Sequence, residues 1–139
     1  MSPFHRVDVL YAGRIVRLVR SSHAFQSVLE LHHERLLLVE ALNRLGRAGR
    51  GLLVDSRDAP HTTDDRMQEE FRRFRLDVSR GFDAVAIVVR TKVGMLQVRR
   101  LGTQPSSEAR AFDDENLAIE FLLEQVAGAP PVPPSPPAR

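Results

Sequence analysis

The sequence predicts an α/β domain in which a mixed β-sheet of four to five strands is covered by about four helices. Three observations carry this expectation. Gly51-Leu52-Leu53-Val54-Asp55 and Ala84-Val85-Ala86-Ile87-Val88-Val89 are short apolar runs of the kind that form buried strands. The amphipathic run from Asp65 to Arg80 lies between them, so the three make a strand–helix–strand crossover. Near the N-terminus, Val7 to Leu10 and Ile15 to Val19 flank Tyr11-Ala12-Gly13-Arg14 and read as a hairpin, which makes the sheet mixed.

After the hairpin, Ser21 or Ser22 is placed to cap a long helix running to about Leu45, stopped by Gly46 and Gly49. Its apolar residues, among them Phe25, Leu29, Leu31, Leu36, Leu38, Leu42 and Leu45, spread over roughly 200° at 100° per residue, wider than a core-facing stripe. Glu30, Glu34, Glu40 and Arg44 hold the remaining face. Either the helix is covered on two sides within the domain, or part of it packs on another chain as a homodimer. In the next helix Met67, Phe71, Phe74 and Val78 recur at core spacing, Asp64 and Asp65 sit at its positive end, and Gly81 closes it. The strand at 84–89 is apolar throughout, as a central strand covered on both faces should be. A short helix is expected over 92–101, a short edge strand at 109–112, and a final helix capped by Asp113 with Leu117, Ala118, Phe121, Leu122 and Val126 inward. Residues 1–128 form the domain; 129–139, with six prolines, is an extended, disordered tail whose PxxP spacing also matches ligands of aromatic-groove domains.

Composition narrows the function classes. At 139 residues, 42% apolar and 27% charged, the chain has the balance of an ordinary soluble domain. No apolar run approaches the roughly 20 residues a bilayer span needs. The N-terminus lacks a signal-peptide core, so a cytoplasmic location is expected and no membrane partner. Absence of cysteine excludes disulfides and thiolate metal sites. The net charge of +2 is the small difference of 20 basic and 18 acidic residues, no field for nucleic acid.

The functional interest lies in the loop Ser56-Arg57-Asp58-Ala59-Pro60-His61-Thr62-Thr63-Asp64, at the carboxyl end of a crossover strand, where α/β folds place their sites. Asp55, Asp58, His61, Asp64 and Asp65 gather acidic groups around one imidazole, but their spacing matches no metal loop and serves equally for caps and turns, so no metal is assigned. His32 and His33 point about 100° apart and cannot chelate one ion; His32 falls in the apolar arc as a packed core residue, and His33 faces out. No nucleophile stands near a base, and there is neither a phosphate cradle nor a GxSxG, so no catalytic residue and no cofactor is assigned. Arg72, Arg73, Arg75, Arg80, Arg99 and Arg100 share their region with Glu69, Glu70 and Asp77, which gives a mixed-charge solvated face including a Glu69–Arg73 pair.

The order hairpin, long helix, strand, helix, strand, short helix, short strand, final helix resembles that of the STAS fold of bacterial anti-sigma factor antagonists and SpoIIAA-like proteins. Leu52-Leu53-Val54-Asp55-Ser56-Arg57 looks like the family's third strand and the start of its switch loop, and Phe82 to Val89 like its fourth strand. Ala111-Phe112-Asp113-Asp114-Glu115-Asn116-Leu117-Ala118 is similar to its closing strand–helix junction. The resemblance spans roughly residues 5–127 and implies a non-enzymatic, regulatory protein-binding domain. In the antagonists the partner is a kinase-type anti-sigma factor that phosphorylates a hydroxyl at the start of the second helix, and phosphate there disrupts docking by adding close to two negative charges. The family pattern Asp-Ser-(Ser/Thr)-Gly meets His61-Thr62-Thr63-Asp64-Asp65-Arg66 here, without the glycine. The acceptor position holds Asp64 or, shifted by one, Thr63; an aspartate there either mimics the phosphorylated state or marks a missing switch. By this resemblance Thr62 and Thr63 are the candidate phospho-switch, and Asp55, Ser56, Arg57, Asp58, His61 and Asp64, with the 65–80 helix, the docking surface. Two other readings stand beside it: a small-molecule-binding variant with an apolar pocket beside this loop, and a scaffold that self-associates through the 24–45 helix.

Overall fold

A computed structural model of the chain describes residues 2–91 and 109–126. The helix expected over 92–101, with Gly94, Arg99 and Arg100, and the proline-rich tail lie outside the described residues. Strand β1 (His5–Leu10) pairs antiparallel with β2 (Ile15–Arg20), Leu10 opposite Ile15. The turn between them carries Tyr11, Ala12 and Gly13 at φ 54°, 56° and 88°, a left-handed path that suits the twist of a hairpin. Helix α1 (Val28–Leu45), β3 (Gly51–Asp55), α2 (Asp65–Ser79), β4 (Ala84–Val88), β5 (Arg110–Phe112) and α3 (Glu115–Val126) follow. The strands lie side by side in chain order, β1-β2-β3-β4-β5, and every pair after the first is parallel. The carboxyl ends of β2, β3 and β4 therefore share one edge.

The period-two alternation of the strands divides the core between two faces. Val16, Leu18, Leu52 and Val85 pack with Leu31, Leu38 and Leu42 of α1 and Phe74 and Val78 of α2. Ile15, Leu53, Ala86 and Val88 point the other way, onto Ala118, Ile119 and Leu122 of α3. Gly51 lets α3 come close: a Cβ there would lie 3.0 Å from Leu122 Cδ2 and 3.2 Å from Leu122 Cβ. The Cδ2 atom can swing aside but the Cβ cannot without moving α3. Gly51→Ala is expected to cost about 1–2 kcal/mol, seen as a lower urea midpoint at constant m-value.

Helix α1 starts later than either Ser21 or Ser22. The Ser21 amide donates to Phe4 O at 2.9 Å and its hydroxyl to Pro3 O at 2.6 Å, which ties residue 21 to the N-terminal arm. Phe25 is drawn into the core and stacks on Phe4 with ring centres 4.0 Å apart. Ser27 is the cap, accepting from Glu30 N at 3.1 Å while Glu30 Oε1 accepts from Gln26 N at 2.7 Å. At the other end Arg50, 1% exposed, donates to the carbonyls of Leu45 and Gly46, terminal acceptors that the helix cannot satisfy itself. The final helix is capped one residue later than expected, by Asp114, whose Oδ1 accepts from Asn116 N and Leu117 N at 2.8 and 3.2 Å. Leu117 is 51% exposed, on the outer side of that helix.

The wide apolar arc of α1 splits. Leu31, Leu38 and Leu42 are buried, whereas Leu29, Leu36 and Leu37 are exposed. Glu34, expected on the polar face, is instead 3% exposed within the core stripe. His32, expected as a core residue, is half-exposed; its Nδ1 lies 3.2 Å from Glu70 Oε1 and 2.7 Å from a guanidinium nitrogen of Arg35. Arg35 also pairs with Asp77 at 2.6 Å, so polar groups fasten α1 to α2. Glu70 belongs to that buried seam and not to the solvated face. Among the described residues, no helix is long and apolar enough to cross a membrane.

Candidate functional site

Where the carboxyl ends of β2, β3 and β4 meet α2, the α1/α2 side of the sheet opens into a cleft of about 730 Å³. Its floor is Leu18, Val54 and Ile87, its long wall is the face of α2 bearing Gln68, Phe71, Arg72 and Arg75, and its rim is Ser56 with Ala59 to Thr62. Alternation places Leu18, Val54 and Ile87 on the same side of three neighbouring strands. Helical periodicity brings residues 68, 71, 72, 75 and 79 of α2 to the cleft; Phe74 and Val78 line it as well while packing in the core, where Met67 and Phe71 join them.

The loop expected to carry function forms that rim, yet its residues face different ways. Asp55, 6% exposed, turns to the α3 side, where its carboxylate accepts from Arg17 at 3.2 Å and from Arg57 at 2.8 and 2.9 Å. Glu115 at the start of α3 joins both arginines, at 3.0 and 2.8 Å. The hydrogen bonds from Arg57 hold the Asp55 carboxyl below its ordinary value, against the raising effect of burial, and Asp55 in turn raises the Arg57 guanidinium. Ser56 donates through both its amide and its hydroxyl to Val88 O at 3.0 Å, clamping the loop to β4. Asp58 pairs with Arg90 at 2.7 Å. Asp64 is the N-cap of α2 and accepts from Met67 N at 3.0 Å. Thr62 accepts from Asp64 N through its hydroxyl and from Gln68 Nε2 through its carbonyl, while Thr63 and His61 are exposed. The acidic residues are thus spent on separate tasks, and no group of three His, Asp or Glu side chains among the described residues converges as a metal site would require. On α2, Glu69 pairs with Arg72 at 2.8 Å and with Arg73 at 3.8 Å, and Asp77 with Arg80 at 3.0 Å.

The deep end of the cleft holds a polar group that the sequence reading passed over. His5 lies at the start of β1, 6% exposed, stacked on Phe74 with ring centres 5.3 Å apart. Its Nδ1 is 2.6 Å from Glu34 Oε2, which also accepts from the Ser2 hydroxyl at 2.6 Å. Burial would raise the Glu34 carboxyl, but hydrogen bonds from His5 and Ser2 and the charge of Arg20 hold it low, as a carboxylate. Burial pushes the His5 imidazole down, outweighing the pull of Glu34, so the ring is neutral. A carboxylate has no proton to give; Nδ1 therefore carries the hydrogen and Nε2 a lone pair. Arg20 stands beside them, donating to Ser21 O at 2.8 Å, its guanidinium 4.8 Å from the Phe25 ring centre. The signal for Glu34 was present: it is three residues after Leu31 and four before Leu38, inside the stripe that α1 buries.

Among solved structures the chain is similar to an uncharacterised protein of the DUF3478 family from Shewanella loihica PV-4, described as having a SpoIIAA-like fold. The two share a TM-score of 0.62 over 88% of this chain and 98% of that one. The fold is SpoIIAA-like. At 16% identity the likeness carries the architecture alone. No family model and no curated protein matches the sequence. Apart from the helix expected over 92–101, which lies outside the described residues, the expected element order and mixed sheet of this SpoIIAA-like domain hold, with five strands and three helices among the described residues.

Proposed function

We propose that this SpoIIAA-like domain is a non-enzymatic binding domain that takes a small molecule into the cleft between α2 and the sheet, with the 56–64 loop as its rim. The cleft itself carries the reading. Its volume of about 730 Å³ falls in the roughly 300–1,000 Å³ range of small-molecule sites, and an apolar floor with a few polar groups is the usual make-up of such sites. Ile87→Trp places an indole over the floor. It is expected to weaken binding of an apolar fluorescent probe such as anilinonaphthalene sulfonate about tenfold, roughly 1.4 kcal/mol, with the melting temperature held. Equal probe binding by the two proteins removes the cleft as the site.

Exposure of His61, Thr63 and Asp64 supports a second reading, in which a protein partner of the anti-sigma kinase type docks on the rim and the outer side of α2. Asp64 caps α2 with a carboxylate, so a fixed negative charge stands at the helix end that favours anions. A pull-down in which Thr63→Glu and Asp64→Ser leave every captured protein unchanged excludes the rim as a docking surface.

A further inference from the structure

The geometry points to an amphipathic carboxylic acid as the ligand of the cleft, with its carboxylate on Arg75 and a hydroxyl further along the molecule donating to Nε2 of His5. This rests on the reading of the cleft as a small-molecule site. His5 is nine-tenths buried and lines the cleft, yet among the described residues Nε2 has no hydrogen-bond partner, all its ring hydrogen bonding being through Nδ1 to Glu34. The Glu34 carboxylate fixes the tautomer, so what the imidazole offers the cleft is an acceptor, and its complement is a donor such as a hydroxyl. Arg75 lines the same cleft. Its guanidinium pKa is pushed down, first by burial and then by neighbouring Arg72. Arg72 has Glu69 as a partner at 2.8 Å, but among the described residues no carboxylate lies within ion-pair reach of Arg75. A partly desolvated cation without a counter-ion is costly, and a bound anion recovers that cost. The apolar floor of the same cleft suits an aliphatic body. Asp65 and Glu69 also line the cleft and offset two of its three arginines, Arg20, Arg72 and Arg75, so the lining carries a net charge of about +1, which a singly charged carboxylate matches better than a phosphate dianion.

Calorimetric titration of the full chain with ω-hydroxydecanoate, decanoate, decyl phosphate and decanol tests this. Decanoate is expected to bind about tenfold more tightly than decanol, the scale of one charge-assisted hydrogen bond, and ω-hydroxydecanoate more tightly still. Arg75→Gln should bring decanoate down to the affinity of decanol and leave decanol unchanged. The double replacement His5→Leu with Glu34→Leu removes both members of the pair, leaving only the Ser2 hydroxyl and the Arg20 guanidinium without Glu34, and should erase the advantage of the hydroxyl. Decanol binding as well as decanoate, or an unchanged ratio in Arg75→Gln, overturns the carboxylate assignment while the cleft stands as a site. Decyl phosphate binding more tightly than decanoate overturns the choice of anion. Equal affinities for the hydroxylated and plain acids overturn the part given to His5. Failure of all four to bind overturns both this proposal and the reading beneath it.

Discussion

Glu34→Ala is expected to destabilise the domain by about 3 kcal/mol, measured as a drop in urea midpoint at constant m-value. The carboxylate is 3% exposed and accepts from His5 Nδ1 and the Ser2 hydroxyl, both at 2.6 Å, so its loss strands the imidazole N–H in the core. Arg20 also loses its nearest compensating charge. Glu34→Gln keeps an acceptor for Nδ1 and should cost about 1 kcal/mol. The double leucine variant should lie closer to wild type than Glu34→Ala does, because a buried polar pair is replaced most cheaply when both members go. The pair also sets an acid dependence. The folded His5 pKa lies below its ordinary 6.5, so the unfolded chain binds the proton more readily. Stability from His5 is complete above pH 6.5 and is lost as the pH falls from there toward the folded value. Ser2, Glu34 and Arg20 face this ring, and Glu34, also depressed, adds a further loss below its ordinary 4.5. In the double leucine variant both losses should be absent; a persisting decline near pH 6 places the titration elsewhere.

Much of the architecture was legible because the strands and α2 obey simple periods. Leu52, Leu53 and Val54 are apolar on both sides and their strand is covered on both faces; Met67, Phe71, Phe74 and Val78 mark the inner face of α2. The errors came where tertiary contact overruled local text. Ser21 has the chemistry of a cap, but Pro3 and Phe4, far away in α1 terms and adjacent through the β1–β2 pairing, claim its hydroxyl and amide. Glu34 and Glu70 were assigned to water by residue type although their spacing places them in buried stripes; position outweighed identity because His5, Arg35 and His32 were there to satisfy them. An apolar pocket beside the 56–64 loop was one of the readings the sequence offered, but its lining was not. Its floor comes from three strands, its wall from α2 and its deep polar group from residue 5, and no local pattern joins those segments. Strand order was equally hidden, since hairpin and crossovers alone permit several arrangements.

Asp55→Ala is expected to cost about 3 kcal/mol, comparable to the Glu34 change but for the opposite side of the sheet. Asp55 accepts from Arg17 and Arg57, and Glu115 bridges the same two guanidiniums, so one carboxylate joins β2, β3, the loop and α3. Without it Arg17, only 15% exposed and already with an unpartnered Nε, keeps a buried charge that Asp8 and Glu115 compensate in part. The Asp55 pKa is depressed below its ordinary 3.8, so its contribution is present above that pH and disappears as the pH falls through the folded value. Acid unfolding of the alanine variant should therefore lack that last step. Limited proteolysis supplies the functional arm. Because Arg57 loses its anchor, the 56–64 loop should be cut faster in Asp55→Ala at neutral pH, while a ligand bound in the cleft should lose only a fewfold in affinity, since Asp55 faces away from it. These outcomes separate two roles for one residue. A carboxylate that holds the loop changes stability and cleavage together. A carboxylate that touches a protein partner weakens capture of that partner and leaves the urea midpoint where it was, and that result would return Asp55 to the docking surface.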